Sequence, residues 1–244
     1  MYAILLYHGV EDGARSARAR DAIDREYVLD RRRFEQHLDY LAHKPAASVH
    51  TVVSFDDGDE SCYTMAAPAL EERGMRGEFF VVTGWIGRPG FLTAHQLRDL
   101  HRRGHGIHSH SRSHPRLSAL TAPEIEQDLA GSKADLEDLL GQPVTQLSIP
   151  GGAYDERVIE IARLVGYTSL LNSVEGYNED GGGFLLQRFT ARSYSGVSLL
   201  VGICEHPART NARLMVKRAA LKAARGVMGE GGYGKLRSAI ISRR

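Results

Sequence analysis

Cysteine is almost missing from this 244-residue chain: Cys62 and Cys204 are the only two. A pair gives no disulfide framework, which favours a reducing compartment. An excess of one charge is missing too, with 31 Lys and Arg against 30 Asp and Glu, so bulk charge singles out no partner class. Long apolar runs are absent. The stretch from Tyr2 to Tyr7 is too short for a membrane span, and it lacks the basic start and small-residue cleavage site of a secretory signal. The expected location is therefore the cytoplasm. No internal repeat or low-complexity segment appears, and the length suits one large domain with a substantial core better than two ordinary ones.

What is present is an alternation of strands and helices. Tyr2 to Tyr7 reads as a first buried strand, and the polar stretch from Gly9 to about Tyr27 as a long loop. Asp30 can cap a helix carrying Phe34, Leu38 and Leu41, and Val52 to Phe55 forms the next strand. A helix near Met65 to Arg73 and a strand near Gly77 to Val82 follow. Thr93 caps a helix ending around Arg103-Gly104, and Ile107 to Ser109 makes a short strand. Thr121-Ala122-Pro123-Glu124 is a capping box that opens a helix through about Leu140. Strand Gln146 to Ile149, a helix between Asp155 and Gly166, and strand Tyr167 to Leu171 complete the pattern. Such alternation predicts βα units around a parallel sheet.

The chemistry starts at Ser54-Phe55-Asp56-Asp57-Gly58, where two carboxylates follow an apolar strand and Gly58 allows a sharp turn. Neighbouring strand side chains point to opposite faces, so the two aspartates should do different jobs. About fifty residues on, His110-Ser111-Arg112-Ser113-His114-Pro115 sets two imidazoles four apart. If the segment turns helically, both can reach one cation. With one aspartate they make a two-histidine, one-carboxylate site with open positions, suited to hydrolytic zinc or a similar divalent metal, and the other aspartate stays free as a base. His101, His105 and His108 crowd the same region without that spacing and read as structural or solvent-facing.

These two motifs, in this order and separation, resemble the first two motifs of the polysaccharide deacetylases (carbohydrate esterase family 4, the NodB homology domain). The resemblance covers roughly residues 2 to 195 and implies a distorted (β/α)7 barrel. It also implies Asp56 as catalytic base and Asp57, His110 and His114 as ligands of a divalent metal, zinc first, with cobalt, nickel or iron(II) as alternatives. The implied activity is removal of N-acetyl groups from an N-acetylated sugar, such as an exopolysaccharide or a lipid-linked glycan precursor.

The chain departs from the family in three places. Pro150-Gly151-Gly152 resembles the third motif, but Ser148 stands where an arginine normally orients the catalytic aspartate, so Arg188 or Arg192 is expected to substitute. Gly151 replaces an aromatic, yet its amide can still serve the oxyanion. Asn172 to Glu175 lacks the tryptophan of the fourth motif, and no Leu-x-His of the fifth follows Leu185. Some bacterial poly-N-acetylglucosamine deacetylases, which look like circular permutants of this family, carry a Tyr-His near the start, similar to Tyr7-His8. His8 is therefore expected as the general acid, with His206 as the alternative. A small-amide or cyclic-amide hydrolase on the same metal site, and a non-catalytic glycan-binding barrel, remain competing readings.

The expected boundaries are a catalytic barrel over residues 1–210 and a basic helical extension over 211–244. From Arg213 onward, nine Lys and Arg face Glu230 alone, a net charge of +8. Without aromatic interleaving this does not read as a nucleic-acid site. It suggests peripheral attachment to anionic lipid at the inner face of the membrane, or an ordinary terminal helix with a solvated basic face.

Overall fold

The computed structural model describes residues 1–13, 25–221 and 223. The chain forms two compact units, Met1–Glu205 and His206–Arg244. The first unit holds β1 (Tyr2–Tyr7), β2 (Gly9–Glu11), β3 (Val28–Asp30), α1 (Arg31–His43), β4 (His50–Phe55), α2 (Ala67–Glu71) and β5 (Gly77–Val81). There follow α3 (Ala94–Arg102), β6 (Gly106–Ser109), α4 (Ala122–Leu140), β7 (Gln146–Ser148), α5 (Glu156–Val165), β8 (Ser169–Leu171), β9 (Leu185–Leu186), β10 (Phe189–Thr190) and α6 (Val197–Glu205).

Eight strands form one sheet in the order β10-β1-β4-β5-β6-β7-β8-β9, every pair parallel. Only Gln187 and Arg188 separate β9 from β10, yet β9 pairs with β8 and β10 with β1. One interrupted strand thus joins both edges, and the result is the distorted (β/α) barrel, with seven strands when β9 and β10 are taken together. The break keeps its backbone donors bonded, since Gln187 N–H donates to Asn178 Oδ1 and Arg188 N–H to the Val174 carbonyl.

Period-two alternation sorts the strand residues into two layers. Ile4, Phe80, Leu171 and Leu186, with Tyr2 and Val52, pack together inside the barrel. The alternate positions Leu5, Tyr7, Phe55 and Phe79 are buried against the helices. There Phe34 of α1 meets Tyr7 at 5.3 Å between ring centroids, Tyr7 meets Phe55 at 5.6 Å, and Phe55 meets Phe79 at 5.0 Å. Full burial of such side chains contributes roughly 1.5–3 kcal/mol each.

The expected caps form. Asp30 accepts from Arg33 N–H, Thr93 and Thr121 close capping boxes with Gln96 and Glu124, and Asp155 accepts from Val158 N–H. Two local expectations change. Residues 9–11 are not loop: β2 pairs with β3, because Val10 and Leu29 are buried side by side. The segment from His110 to His114 is an irregular turn rather than a helix, with Ser111 at φ 67° and His114 at φ 59°.

In the second unit, residues 207–221 are helical and carry Arg209, Arg213, Lys217 and Arg218 with no acidic residue. Met215 and Val216 are 69% and 71% exposed. The further helix expected near the C-terminus lies outside the described residues. Among the described residues, no helix is long and apolar enough to cross a membrane.

Candidate active site

The alternation that fills the barrel with apolar side chains also brings polar ones to its C-terminal mouth. Two residues beyond Ile4 and again two beyond Leu6 lies His8; Val52 and Ser54 lead to Asp56, His108 to His110, and Leu186 to Arg188. The carboxyl-terminal face of a parallel barrel is where βα loops assemble chemistry.

Asp56 is buried, and its N–H donates to the Tyr7 carbonyl at 3.0 Å. Arg188 grips it with a two-pronged fork: Nη1 donates to Oδ1 and Nη2 to Oδ2, both at 2.8 Å. The hydroxyl of Ser148 donates to Oδ2 at 2.9 Å and accepts from Arg188 Nη2 at 2.8 Å. Arg188 Nε donates to the Asn172 carbonyl at 3.0 Å. Burial pushes the Asp56 carboxyl up, but Arg188 and then His110 outweigh it and hold it below its ordinary value. Arg188 therefore fills the place of the missing family arginine, whereas Arg192 pairs with Glu26 instead. Of the four lone-pair positions on the Asp56 carboxylate, the described residues occupy three, and the fourth belongs to Oδ1.

Asp57, His110 and His114 offer one ligand atom each, and these atoms lie within 4.8 Å of one another. Asp57 Oδ1 is 3.4 Å from His110 Nε2 and 3.5 Å from His114 Nε2. His110 Nδ1 donates to the Ser148 carbonyl at 2.9 Å, which leaves Nε2 to face Asp57, as a donor when the ring is protonated and as a lone pair when it is neutral. Two imidazoles and one carboxylate gathered this closely match the donor set of divalent zinc. The residues present fit such a group. Burial pushes the Asp57 carboxyl up, but its hydrogen bond with His110 and the neighbouring imidazoles hold it far below its ordinary value. Burial pushes the His110 imidazolium down, and Asp56 and Asp57 more than reverse that. His114 is lowered by burial and then by His110.

Backbone strain gathers at the same place. Among the described residues, the non-glycine positions with positive φ are Asp57 (74°), Ser111 (67°) and His114 (59°). A left-handed conformation at three such positions persists only where surroundings over-determine it.

His8 sits between these groups and Tyr27, whose ring centroid is 4.9 Å away, and its buried Nδ1 has no hydrogen-bond partner among the described residues. Burial lowers its pKa; Asp57 and Asp56 pull it up without cancelling that, while Arg188 and His110 add to the lowering. Gly151 lies on an exposed turn at φ 59°, three residues past Ser148, with open space where a Cβ would stand. His206 opens the second unit. The three other histidines between 101 and 114 bond elsewhere: His105 Nε2 to Glu71, His108 Nε2 to Glu78, and His101 Nδ1 to Gln142. One residue escapes the motif-based reading altogether. Asp128 lies on the buried stripe Ile125, Asp128, Leu129, Ser132, Leu136 of α4, and an acidic residue on an apolar helix face is a signal that sequence periodicity carries.

The polysaccharide deacetylase family model matches residues 43–170. The chain is 28% identical to the Bacillus subtilis protein YxkH over 204 residues, covering 76% of this chain and 69% of that protein. It is 27% identical to the Bacillus subtilis peptidoglycan-N-acetylmuramic acid deacetylase PdaA over 137 residues, 55% of this chain but only 50% of PdaA. Among solved structures, the Streptococcus pyogenes deacetylase PplD superposes with a TM-score of 0.70 at 21% identity, covering 82% of this chain and 96% of that one. IcaB from Ammonifex degensii superposes with a TM-score of 0.66 at 24% identity, over 78% and 91% of the two chains. A family model spanning more than half of the chain, carried on the same barrel, leads to one conclusion: the chain belongs to the polysaccharide deacetylase family.

Proposed function

We propose that the protein removes N-acetyl groups from an N-acetylated glycan by metal-dependent amide hydrolysis. The observation that carries this is a carboxylate kept ionised by a buried arginine fork, Asp56, standing beside a second carboxylate and two imidazoles that converge on one point. Asp57, His110 and His114 would hold a divalent cation, zinc first, which would supply Lewis acidity to polarise the acetamide carbonyl and acidify the attacking water.

The chain's own groups account for the proton movements. Asp56 takes the water proton on the fourth lone-pair position, at Oδ1, while Arg188 and Ser148 fix the plane of the carboxylate. The Gly151 N–H donates to the carbonyl oxygen as it gains negative charge. His8, whose Nδ1 has no partner among the described residues, gives a proton to the departing sugar amine.

PdaA acts on peptidoglycan N-acetylmuramic acid, and a Bacillus cereus relative, 26% identical over 120 residues, is a peptidoglycan-N-acetylglucosamine deacetylase. Their names favour cell-wall glycans as the first substrates to try, beside exopolysaccharide fragments and lipid-linked precursors. The test is acetate release from such a panel by metal-reconstituted protein, with Asp56→Asn as a control that keeps the proposed ligands. Release by the wild type and loss in the control is expected. Bound metal without release from any acetylated sugar would sink the proposal and turn attention to small amides, then to a glycan-binding role.

The helix over 207–221 supports a separate proposal, peripheral attachment to anionic lipid, through Arg209, Arg213, Lys217 and Arg218 in a segment whose sequence has no acidic residue. Flotation with phosphatidylglycerol vesicles should carry the full chain but not an Arg213→Glu, Lys217→Glu variant. Equal flotation of both would end that idea.

A further inference from the structure

The turn that presents His110 and His114 is too strained to hold itself. Two of its five residues are left-handed without being glycine, and two local hydrogen bonds brace it: Ser111 Oγ accepts from His114 N–H within the turn at 3.0 Å, and Ser109 Oγ, just before it, accepts from Ser111 N–H at 3.2 Å. The rest of its support is external. On one side, the exit of β5 takes the carbonyls, with Thr83 N–H donating to Ser111 O at 3.2 Å and Gly84 N–H to Arg112 O at 2.8 Å. On the other, one carboxylate takes the amides. Asp128 Oδ1 accepts from Arg112 N–H at 2.9 Å, and Oδ2 accepts from Ser113 N–H at 3.1 Å and from the Ser113 hydroxyl at 2.7 Å.

We infer that Asp128 is a positioning residue for the metal site: its carboxylate clamps the Arg112-Ser113 backbone so that His110 and His114 face Asp57 together. The inference rests on the proposed reading that these three residues hold a divalent cation. Asp128 lies 8% exposed on a helix face that it shares with Ile125, Leu129, Ser132 and Leu136, all fully buried. An anion in that position is unfavourable unless hydrogen bonds satisfy it, and among the described residues those bonds come from Arg112 and Ser113. The helix does not need Asp128 to dock, because the three apolar residues already anchor it. The carboxylate's binding is spent on the turn between the two histidines.

Asparagine at this position keeps the shape but offers one acceptor oxygen, so one of the two backbone amides would face an NH2 group. With that amide unsatisfied, the left-handed turn relaxes and the two imidazoles lose their common aim. Outer-sphere partners of this kind are worth about 10- to 100-fold in metal affinity.

The experiment is cobalt(II) titration of metal-free full-length protein, read by equilibrium affinity and by the visible absorption of the bound ion. It uses wild type, Asp128→Asn, Ser113→Ala and His114→Ala, with folding checked by circular dichroism. The expected result is an affinity lower by about 10- to 100-fold and an altered absorption band in Asp128→Asn. Ser113→Ala, which removes one of the three bonds, should weaken binding in the same direction by less. An altered band cannot come from global destabilisation, which reduces the folded fraction without changing the bound ion's surroundings. Wild-type affinity and spectrum in Asp128→Asn would overturn the inference and leave the metal reading standing. If that variant does not fold, unchanged affinity in Ser113→Ala overturns it. A wild type that binds no cobalt, indistinguishable from His114→Ala, would overturn both.

Discussion

Arg188 is fully buried, and four hydrogen bonds to Asp56, Ser148 and Asn172 offset the loss of its hydration. Arg188→Met leaves Asp56 as a lone buried charge, and chemical denaturation should show a loss of about 3–5 kcal/mol. Arg188→Lys keeps the charge without the fork, so it should fold, with kcat lower by at least about tenfold and KM little changed in deacetylation assays. Ser148→Ala removes two hydrogen bonds, one to Asp56 and one from Arg188, and should cost about 1–3 kcal/mol in the same denaturation experiment. The residues that were legible in the sequence are those whose chemistry is local: Asp56 beside Asp57, and His110 four before His114. The arginine was legible only as a choice between Arg188 and Arg192. What separates them is the break after Leu186, where Arg188 keeps the inward phase of the strand, and nothing in the local sequence marks that break.

At the level of elements, helix ends were readable because a cap is written in four adjacent residues, as in Thr121 to Glu124. The turn at 110–114 was not readable, because its shape is imposed by Asp128 and by the chain after β5. Gly84 shows how tight that second contact is: a Cβ there would stand 2.5 Å from the Arg112 carbonyl oxygen. Gly84→Ala should therefore push the histidine turn away and weaken cobalt binding, whereas Gly151→Ala, with open space around it, should cost only the strain of its positive φ. The junction of α2 with α3 gives a pH signature. Arg103 donates two hydrogen bonds to Glu71 and holds its carboxyl down to about 2, from an ordinary 4.5. The folded value lies below the unfolded one, so this stabilisation is complete above pH 4.5 and is lost as pH falls from there toward 2. Glu71→Gln should lower stability at neutral pH by about 1 kcal/mol and flatten the decline over that acid range, as followed by thermal melts at a series of pH values.

For the whole barrel, the alternation of strands and helices was enough to give the parallel sheet, and the two motifs gave its family. Closure was the part not written locally, since β9 and β10 hold two residues each and make sense only against β8 and β1. This closure carries Arg188 into the site, 132 positions along the chain from its partner Asp56. A ribosome will have emitted the aspartate, its neighbouring carboxylate and both histidines long before the guanidinium that keeps Asp56 charged. The nascent chain is thus expected to stay inert while the residues proposed to hold a cation are already exposed, and the proposed hydrolysis would begin only when the last strand has sealed the two edges.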